Sequence, residues 1–262
     1  MQITAVVNQK GGVGKTATTI NVGGALAVAG RRVLLVDLDP QGHLTAGLKL
    51  PSTEHPCTLA GALTGEWTGD PAALVVMYEH GAGGRLAAVP NSLEMFTVAR
   101  ELDKLRAREE RLSRLLGPLD GTFDHVLIDC PPALDILTDN ALTAADGVLI
   151  PVQAEDSSLR ALQLLLGQVN ALESELRRTP LVLHGLVLSM LERGAGGKAR
   201  SNLARSVIES FEQLPLPILA AVPRGVPVTE AWRYGRPVVE YAPDSEHAAA
   251  YRDLAKVLDG AQ

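Results

Sequence analysis

Short runs of apolar residues alternate with longer amphipathic stretches along this sequence of 262 residues. The apolar runs predict strands at residues 3–7, 32–37, 86–89, 123–129, 147–152, 181–190 and 217–222. A run that is apolar at consecutive positions is typical of a parallel strand covered on both faces. The stretches between the runs have helical periodicity and predict helices at 17–29, 59–63, 101–116, 136–145, 159–176, 199–211 and 245–258.

This alternation predicts an α/β fold, with a doubly wound, mainly parallel sheet of seven to eight strands flanked by helices. The length is sufficient for one domain with a sizeable core. Residues 101–116 are expected to form one continuous helix, because their leucines fall on a single stripe. The stripe consists of Leu102, Leu105, Leu112, Leu115 and Leu116.

A glycine-rich segment joins the first predicted strand to the first predicted helix. Its sequence is Asn8-Gln9-Lys10-Gly11-Gly12-Val13-Gly14-Lys15-Thr16. A strand, a glycine turn and a helix N-terminus direct several backbone N–H groups to one point, which favours a phosphate chain. In such a loop Lys15 would reach the β and γ phosphates, and the Thr16 hydroxyl would bind Mg²⁺. The strict phosphate-loop pattern is not met, since Gln9 stands where it requires the first glycine.

The same segment also fits a second nucleotide motif. Gly12, Gly14 and Ala17 match the dinucleotide-binding spacing, and Asp37 follows at about the right distance. An NAD-binding Rossmann oxidoreductase is therefore an alternative, and it predicts binding without Mg²⁺. We favour the triphosphate, because Lys15 and Thr16 are what a nucleoside triphosphate with Mg²⁺ requires.

Three aspartates follow predicted strands. Asp37 and Asp39 come at the end of the second strand, and Asp129 ends the strand at 123–129. The carboxyl ends of parallel strands meet at one edge of a sheet, where α/β proteins bind ligands. An acid after an apolar strand is the arrangement that holds the Mg²⁺ shell in phosphate-loop proteins. These residues therefore predict a magnesium site beside the loop.

Charge and composition argue against several classes of protein. The net charge of −6 argues against a simple basic nucleic-acid binder, although it permits a local basic patch. The two cysteines, Cys57 and Cys130, have neither disulfide-framework nor zinc spacing, which fits a reducing cytoplasm. No apolar run approaches the roughly 20 residues of a membrane span, and no signal peptide is recognised.

The motifs together closely resemble those of the ParA/MinD family of deviant Walker ATPases. The resemblance rests on the glycine-rich segment and on Val36-Asp37-Leu38-Asp39-Pro40-Gln41-Gly42, Asp129-Cys130-Pro131-Pro132, Thr138-x-Asn140-Ala141-Leu142, Pro151-Val152-Gln153-Ala154-Glu155 and Val222-Pro223-Arg224. The Asp-Pro-Gln and Pro-Val-Gln segments favour the branch that partitions chromosomes and plasmids, which includes Soj-like proteins. The resemblance implies a single phosphate-loop ATPase domain at 1–262, without an N-terminal DNA-binding extension.

The resemblance also implies a mechanism. Two subunits would sandwich two ATP molecules, with Lys10 reaching into the partner's site, Lys15 on the phosphates and Asp39 positioning the attacking water. The implied ATP-binding residues are Lys10, Gly11, Gly12, Val13, Gly14, Lys15, Thr16, Ala17, Pro223 and Arg224. Thr16, Asp37 and Asp129 match the Mg²⁺ environment. The ATP dimer would bind double-stranded DNA without sequence preference, in the bacterial cytoplasm on the nucleoid. A ParB-type partner would stimulate slow hydrolysis.

DNA binding is where the sequence departs from the family pattern. The implied basic positions are Arg200, Arg205, Arg224, Arg233 and Arg236. The segment that is usually Pro-Arg-Asn-Val-Arg is Pro223-Arg224-Gly225-Val226-Pro227 here, so its asparagine and its second arginine are missing. A relative that positions another cargo without DNA is therefore an alternative, as are a MinD-like regulator and a metabolic phosphate-loop enzyme. The alanine-rich, weakly basic C-terminal helix does not favour membrane binding.

Overall fold

A computed structural model describes residues 1–51, 57–78, 85–176, 180–192, 194, 199 and 201–260. Within them the strands are β1 Gln2–Val6, β2 Val33–Asp37, β3 Val76–Met77, β4 Leu86–Val89, β5 His125–Asp129, β6 Gly147–Val152, β7 Val182–Leu191 and β8 Ile218–Pro223. The helices are α1 Lys15–Val28, α2 His43–Gly47, α3 Leu59–Thr64, α4 Met95–Leu102, α5 Arg111–Leu116, α6 Ile136–Ala144, α7 Asp156–Glu175, α8 Asn202–Glu212, α9 Val226–Arg233, α10 Val238–Tyr241 and α11 Glu246–Gly260.

The eight strands form one sheet in the order β3-β4-β2-β5-β1-β6-β7-β8. Every neighbouring pair is parallel except β3 and β4. The predicted doubly wound, mainly parallel α/β fold is confirmed. Strands β1, β2 and β5 are adjacent at the centre, so the loop after β1 lies beside the aspartates that end β2 and β5.

Helices cover both faces of the sheet, as the apolar strands require. In β2, Leu34 and Val36 pack into one buried cluster, while Val33 and Leu35 pack into the other. Helices α1 and α11 contact each other on the second face. The continuous apolar runs therefore arise because successive side chains point to two different cores.

The prediction of one helix at 101–116 is wrong. Helix α4 ends at Leu102, Ala107 adopts a left-handed backbone with φ of 47°, and α5 begins only at Arg111. Asn140 explains the break: its side chain donates to the Arg108 carbonyl at 2.8 Å and accepts from the Leu112 N–H at 3.0 Å. These bonds from α6 satisfy backbone groups that a continuous helix would have paired internally.

Helices α2, α9 and α10 and the short strand β3 are present in the structure but were not predicted from the sequence. Each is brief, and α9 and α10 lie in a stretch rich in proline and glycine, where helical periodicity is hard to detect. The helix predicted at 199–211 begins at Asn202, capped by the Ser201 hydroxyl. Part of the predicted loop before it lies outside the described residues.

Candidate nucleotide-binding site

The glycine-rich loop forms a phosphate-sized cradle in front of α1. Gly12 and Gly14 have φ of 73° and 86°, in the left-handed region that favours glycine. Gly14 immediately precedes α1, where no side chain caps the helix and no acid lies in its first turn. The first N–H groups of α1 are therefore free to bind an anion.

Residues at the ends of β6 and β7 hold the loop in place. The Ser189 hydroxyl bonds the carbonyl of Val13 and the carbonyl of Val152, the latter at 3.1 Å. The Gln153 amide donates to the Gly12 carbonyl at 3.2 Å and contacts the Met190 sulfur. Met190 itself has φ of 53°, an uncommon conformation for a non-glycine residue. Ser189 and Met190 belong to no recognisable sequence motif.

Lys15 lies under the loop and is only 6% exposed. Its ammonium group is 3.3 Å from the Lys10 carbonyl. Burial lowers the pKa of Lys15, and the negative charges of Asp129 and Asp39 oppose that shift. The lysine is thus a desolvated cation beside acids, positioned where a phosphate would compensate its charge.

Asp37 and Asp129 form the acidic floor of the site. They are register partners at the ends of β2 and β5, and both are fully buried. One Asp37 oxygen accepts from the Thr45 N–H at 2.7 Å and the Thr45 hydroxyl at 2.6 Å, while the other has no partner among the described residues. In the described part of the chain, Asp129 Oδ2 is also without a partner, and Oδ1 accepts only a long bond of 3.4 Å from Thr19.

Two adjacent buried carboxylates with unpaired oxygens fit a bound divalent cation. Burial raises the pKa of Asp37 to about 6, although the hydrogen bonds from Thr45 act to lower it. Burial and the negative charge of Asp37 raise the pKa of Asp129 well above its usual value. The described residues contain no cluster of three metal-binding side chains. Mg²⁺ commonly binds through one or two carboxylates, waters and substrate phosphates, so this donor set suits it. Thr16, in the first turn of α1, lines the cavity beside these carboxylates.

Asp39 lies in the loop after β2 and faces the same site as Lys15. It is 5% exposed, and Oδ1 accepts from the Gln41 N–H at 3.0 Å. The Asn91 amide donates to the carbonyl of Asp39 at 2.7 Å and to that of Asp37 at 3.3 Å. The Asn91 N–H also donates to the Thr45 hydroxyl at 2.7 Å. Sequence reasoning missed Asn91 and Thr45, although Asn91 follows a predicted strand.

Two adjoining cavities lie over the loop. The first, about 460 Å³, is lined by Gly11, Gly12, Gly14, Lys15, Thr16, Ala17 and Asp39, together with Gln41, His43, Pro132, Met190 and Trp232. The second, about 320 Å³, is lined by Gly14, Ala17, Ser189, Met190, Val222, Pro223, Arg224, Gly225, Val228, Thr229 and Tyr251. The structure thus brings together the predicted ATP-binding residues except Lys10 and the buried Val13. Sequence reasoning did not identify Trp232, His43 or Tyr251.

Lys10 points away from this cavity. Its ammonium group ion-pairs with Glu155 and lies 2.9 Å from the Ser157 hydroxyl. Its N–H donates to the Asn8 side chain at 2.9 Å, and Asn8 is anchored to the Pro151 carbonyl at 2.7 Å. The two loop lysines therefore have different surroundings. Lys15 lines the cavity beside the loop, and Lys10 is bound by residues at the start of α7.

The predicted basic residues are at the surface but mixed with acids. Arg205, Arg224, Arg233 and Arg236 are exposed, and Arg200 lies outside the described residues. Arg224 and Arg233 border one shallow cavity together with Glu230. Arg224 is 3.9 Å from Glu192, and Arg205 donates to the Ala199 carbonyl at 3.0 Å. No helix in the described part of the chain is long and apolar enough to cross a membrane.

Comparisons with known proteins give consistent results. The family described as "AAA domain" matches residues 1–181. The sporulation initiation inhibitor protein Soj of Bacillus subtilis is 38% identical over 257 residues, which cover 97% of each chain. The chromosome partitioning protein ParA of Caulobacter vibrioides is 37% identical over 258 residues, covering 98% of this chain and 93% of its own.

A similar fold is found among solved structures. Cobyrinic acid a,c-diamide synthase from Mycobacterium smegmatis, with a bound ATP analog and magnesium, is 33% identical. It superposes with a TM-score of 0.81 and covers 98% of this chain and 94% of its own.

Proposed function

Since the chain belongs to the ParA/MinD family of deviant Walker A ATPases, we propose that it is an ATP-dependent DNA-partitioning ATPase. We place its action in the bacterial cytoplasm, on the nucleoid. Its nucleotide is ATP with Mg²⁺, and hydrolysis yields ADP and phosphate slowly until a partner stimulates it. The observation that carries this proposal is the pair of unpaired, buried carboxylate oxygens of Asp37 and Asp129 beneath the loop that holds Lys15.

The residues of the site have separate roles in the proposed phosphoryl transfer. The N–H groups of the loop and the Lys15 ammonium bind the phosphates, which neutralises charge that develops on the transferred group. Mg²⁺, held by Thr16 and the carboxylates of Asp37 and Asp129, would supply further charge neutralisation when bound. Asp39 orients the attacking water, and Asn91 fixes the backbone on which Asp39 stands.

Lys10 completes the site in a second subunit. In the monomer it is held by Glu155 and Ser157, outside its own phosphate cavity. We propose that ATP brings two subunits together and that Lys10 then contacts the partner's nucleotide, where a second cation favours the transition state. The ATP-bound homodimer is the active form, and hydrolysis separates it.

The dimer binds double-stranded DNA through Arg205, Arg224, Arg233 and Arg236, with Arg200 as a further candidate. Phosphate contacts are additive and tolerate the loss of single arginines. A ParB-like, centromere-binding partner stimulates hydrolysis and so releases DNA. Because nonspecific DNA binding depends on counterion release, it should weaken steeply with salt.

A second candidate is a ParA-like ATPase that positions another cargo without DNA. Glu192 beside Arg224, Glu230 beside Arg233 and proline at position 227 favour it, because acids and a lost arginine weaken a phosphate-binding surface. An NAD-binding oxidoreductase is less well supported. In such a protein Asp37 would have to hydrogen-bond a ribose hydroxyl. Here it is buried and hydrogen-bonded to Thr45.

One experiment tests the proposal against these alternatives. Wild type, Lys15→Gln and Asp39→Ala are compared by sizing chromatography and DNA co-sedimentation, with and without ATP and Mg²⁺. Lys256→Gln, which changes an exposed lysine on α11, is the control. Asp39→Ala should form a stable ATP dimer that sediments with DNA, and Lys15→Gln should do neither. A stable dimer that ignores DNA at low salt would favour the cargo-positioning role. No ATP-dependent dimer in any variant would contradict the sandwich mechanism.

A further inference from the structure

Trp232 lies at the first cavity but has no role in the mechanism described so far. It belongs to the last turn of α9, is half-buried, and lines the cavity of about 460 Å³ together with Lys15 and Asp39. An indole carries one N–H donor and neither an acid nor a base, so it is not suited to proton transfer. Its packing suggests a different role.

On one side the indole packs against α2. A β-carbon at Gly47 would lie 2.6–2.8 Å from three atoms of the six-membered ring, so the ring rests on the backbone of α2. The ring of His43, at the start of α2, meets the indole edge-on, with centroids 6.4 Å apart and planes at 68°. Helix α2 is thus in contact with Trp232 at both of its ends.

Helix α2 is directly connected to two acids of the site. Gly42, which precedes the helix, donates its N–H to the Asp39 carbonyl at 2.8 Å. Thr45, within the helix, binds the Asp37 carboxylate through its N–H and its hydroxyl. A displacement of α2 would therefore move both acids with respect to the phosphate loop.

On the other side Trp232 belongs to a segment that is fixed on α1. The turn after α9 leads to Pro237, which fills the space beside Gly24 of α1, where a β-carbon would overlap it. The next residue, Val238, donates its N–H to the Asn21 side chain of α1 at 2.6 Å. Since α1 begins at the phosphate loop, Trp232 spans the distance between the helix that faces the phosphates and α2.

We infer that Trp232 is a positioning residue for ATP hydrolysis, which fixes the position of Asp39 relative to the phosphates by holding α2. This inference rests on the proposed ATPase function and adds a residue to that site. In-line attack needs the water and the transferred phosphoryl group in a defined geometry, and small displacements of a catalytic group are costly. Because the loop binds the phosphates, loss of the indole should affect the rate of hydrolysis more than the affinity for ATP.

Separate measurements of hydrolysis and binding test the inference. The value of kcat is obtained from phosphate release, and the Kd for Mg·ATP from titration calorimetry. Trp232→Ala should lower kcat by roughly tenfold or more and change the Kd by less than about threefold. Trp232→Phe, which keeps a six-membered ring, should recover part of the rate. Gly47→Ala should also slow hydrolysis, because the added methyl group displaces the ring. In the double variant Gly47→Ala/Trp232→Ala the two losses should not add, since both changes act on one contact.

The other tryptophan of the chain supplies the control. Trp67 packs against Gly69 and does not line the cavity, so Trp67→Phe should leave kcat and Kd unchanged. In that variant Trp232 is the only tryptophan, and its fluorescence should change when Mg·ATP binds.

Two results would overturn the role of Trp232. One is a Trp232→Ala protein with the wild-type kcat, and the other is a fall in kcat and in affinity by the same factor. If thermal melting shows that Trp232→Ala is not folded, Gly47→Ala carries the test, and its retention of the wild-type kcat would contradict the inference. Failure of wild type to bind Mg·ATP would instead overturn the proposed ATPase function.

Discussion

Asp37 and Asp129 are register partners across β2 and β5, and each keeps one carboxylate oxygen to which no described residue hydrogen-bonds. Removing one of these buried charges should stabilise the protein when no cation is bound. We expect Asp129→Asn to raise the free energy of unfolding of the apo protein by on the order of 1 kcal/mol. The same variant should lose most of the thermal stabilisation that wild type gains from Mg·ATP.

Calorimetric melting with and without Mg·ATP measures both effects. Asp139→Asn is the control, because it changes a half-buried acid that is bonded to Gln168 away from the site. It should leave the nucleotide-dependent increase in Tm intact. An apo Asp129→Asn protein that is less stable than wild type would contradict the interpretation of the carboxylate pair.

Asn91 joins the two catalytic segments, since its side chain holds the carbonyls of Asp37 and Asp39. We expect Asn91→Ala to reduce the rate of ATP hydrolysis by roughly tenfold or more, because small displacements of a catalytic group are costly. Nucleotide affinity should change less than the rate. Ser92→Ala, at the next position, is the control and should retain near wild-type turnover. If Asn91→Ala hydrolyses ATP at the wild-type rate, Asp39 is positioned by other contacts.

Asn140 should be important for stability, not for nucleotide binding. Its side chain bonds the backbone of Arg108, Leu112 and Ile136. Asn140→Ala leaves these buried groups unpaired and should lower the free energy of unfolding by roughly 2–4 kcal/mol. Urea denaturation measures the loss. Arg114→Ala breaks only an exposed i,i+4 pair with Glu110, so a change of less than about 1 kcal/mol is expected for it.

The Arg32–Asp124 ion pair should make the free energy of unfolding depend on pH. Arg32 donates to Asp124 through its N–H at 2.8 Å and its guanidinium at 2.6 Å, which lowers the pKa of Asp124 to about 2. A carboxyl group with a depressed folded-state pKa stabilises the protein above its unfolded pKa of about 4. That contribution is lost as the pH falls toward 2.

Urea titrations of wild type and Asp124→Asn at several pH values check the sign. The difference in free energy of unfolding should be largest near neutral pH and should shrink toward pH 2. Because both side chains are partly exposed, we expect a difference of only about 1 kcal/mol. Asp244→Asn, at an exposed position, should show no such pH dependence. A difference between wild type and Asp124→Asn that does not vary with pH would refute the assignment.

The sequence was sufficient to predict most of the sheet. Strands β4 and β6 have the predicted bounds, and the remaining parallel strands differ only at their ends. Continuous apolar runs are a local signal, so they can be recognised without knowledge of the partners. The 101–116 region shows the limit, because its break depends on Asn140 from a later helix.

The candidate site was predictable to a similar degree. The glycine loop, Lys15, Asp37 and Asp129 belong to contiguous motifs whose chemistry is specific. Asn91, Thr45 and Trp232 come from other parts of the chain and have no motif of their own.

The ion pair between Lys10 and Glu155 has a thermodynamic consequence for assembly. In the proposed dimer Lys10 would leave one anionic partner within its own subunit and gain another in the second subunit. This is an exchange of partners, so the number of ion pairs made by the lysine does not increase. Its contribution to association should therefore depend only weakly on ionic strength, unlike that of a lysine that is free in the monomer.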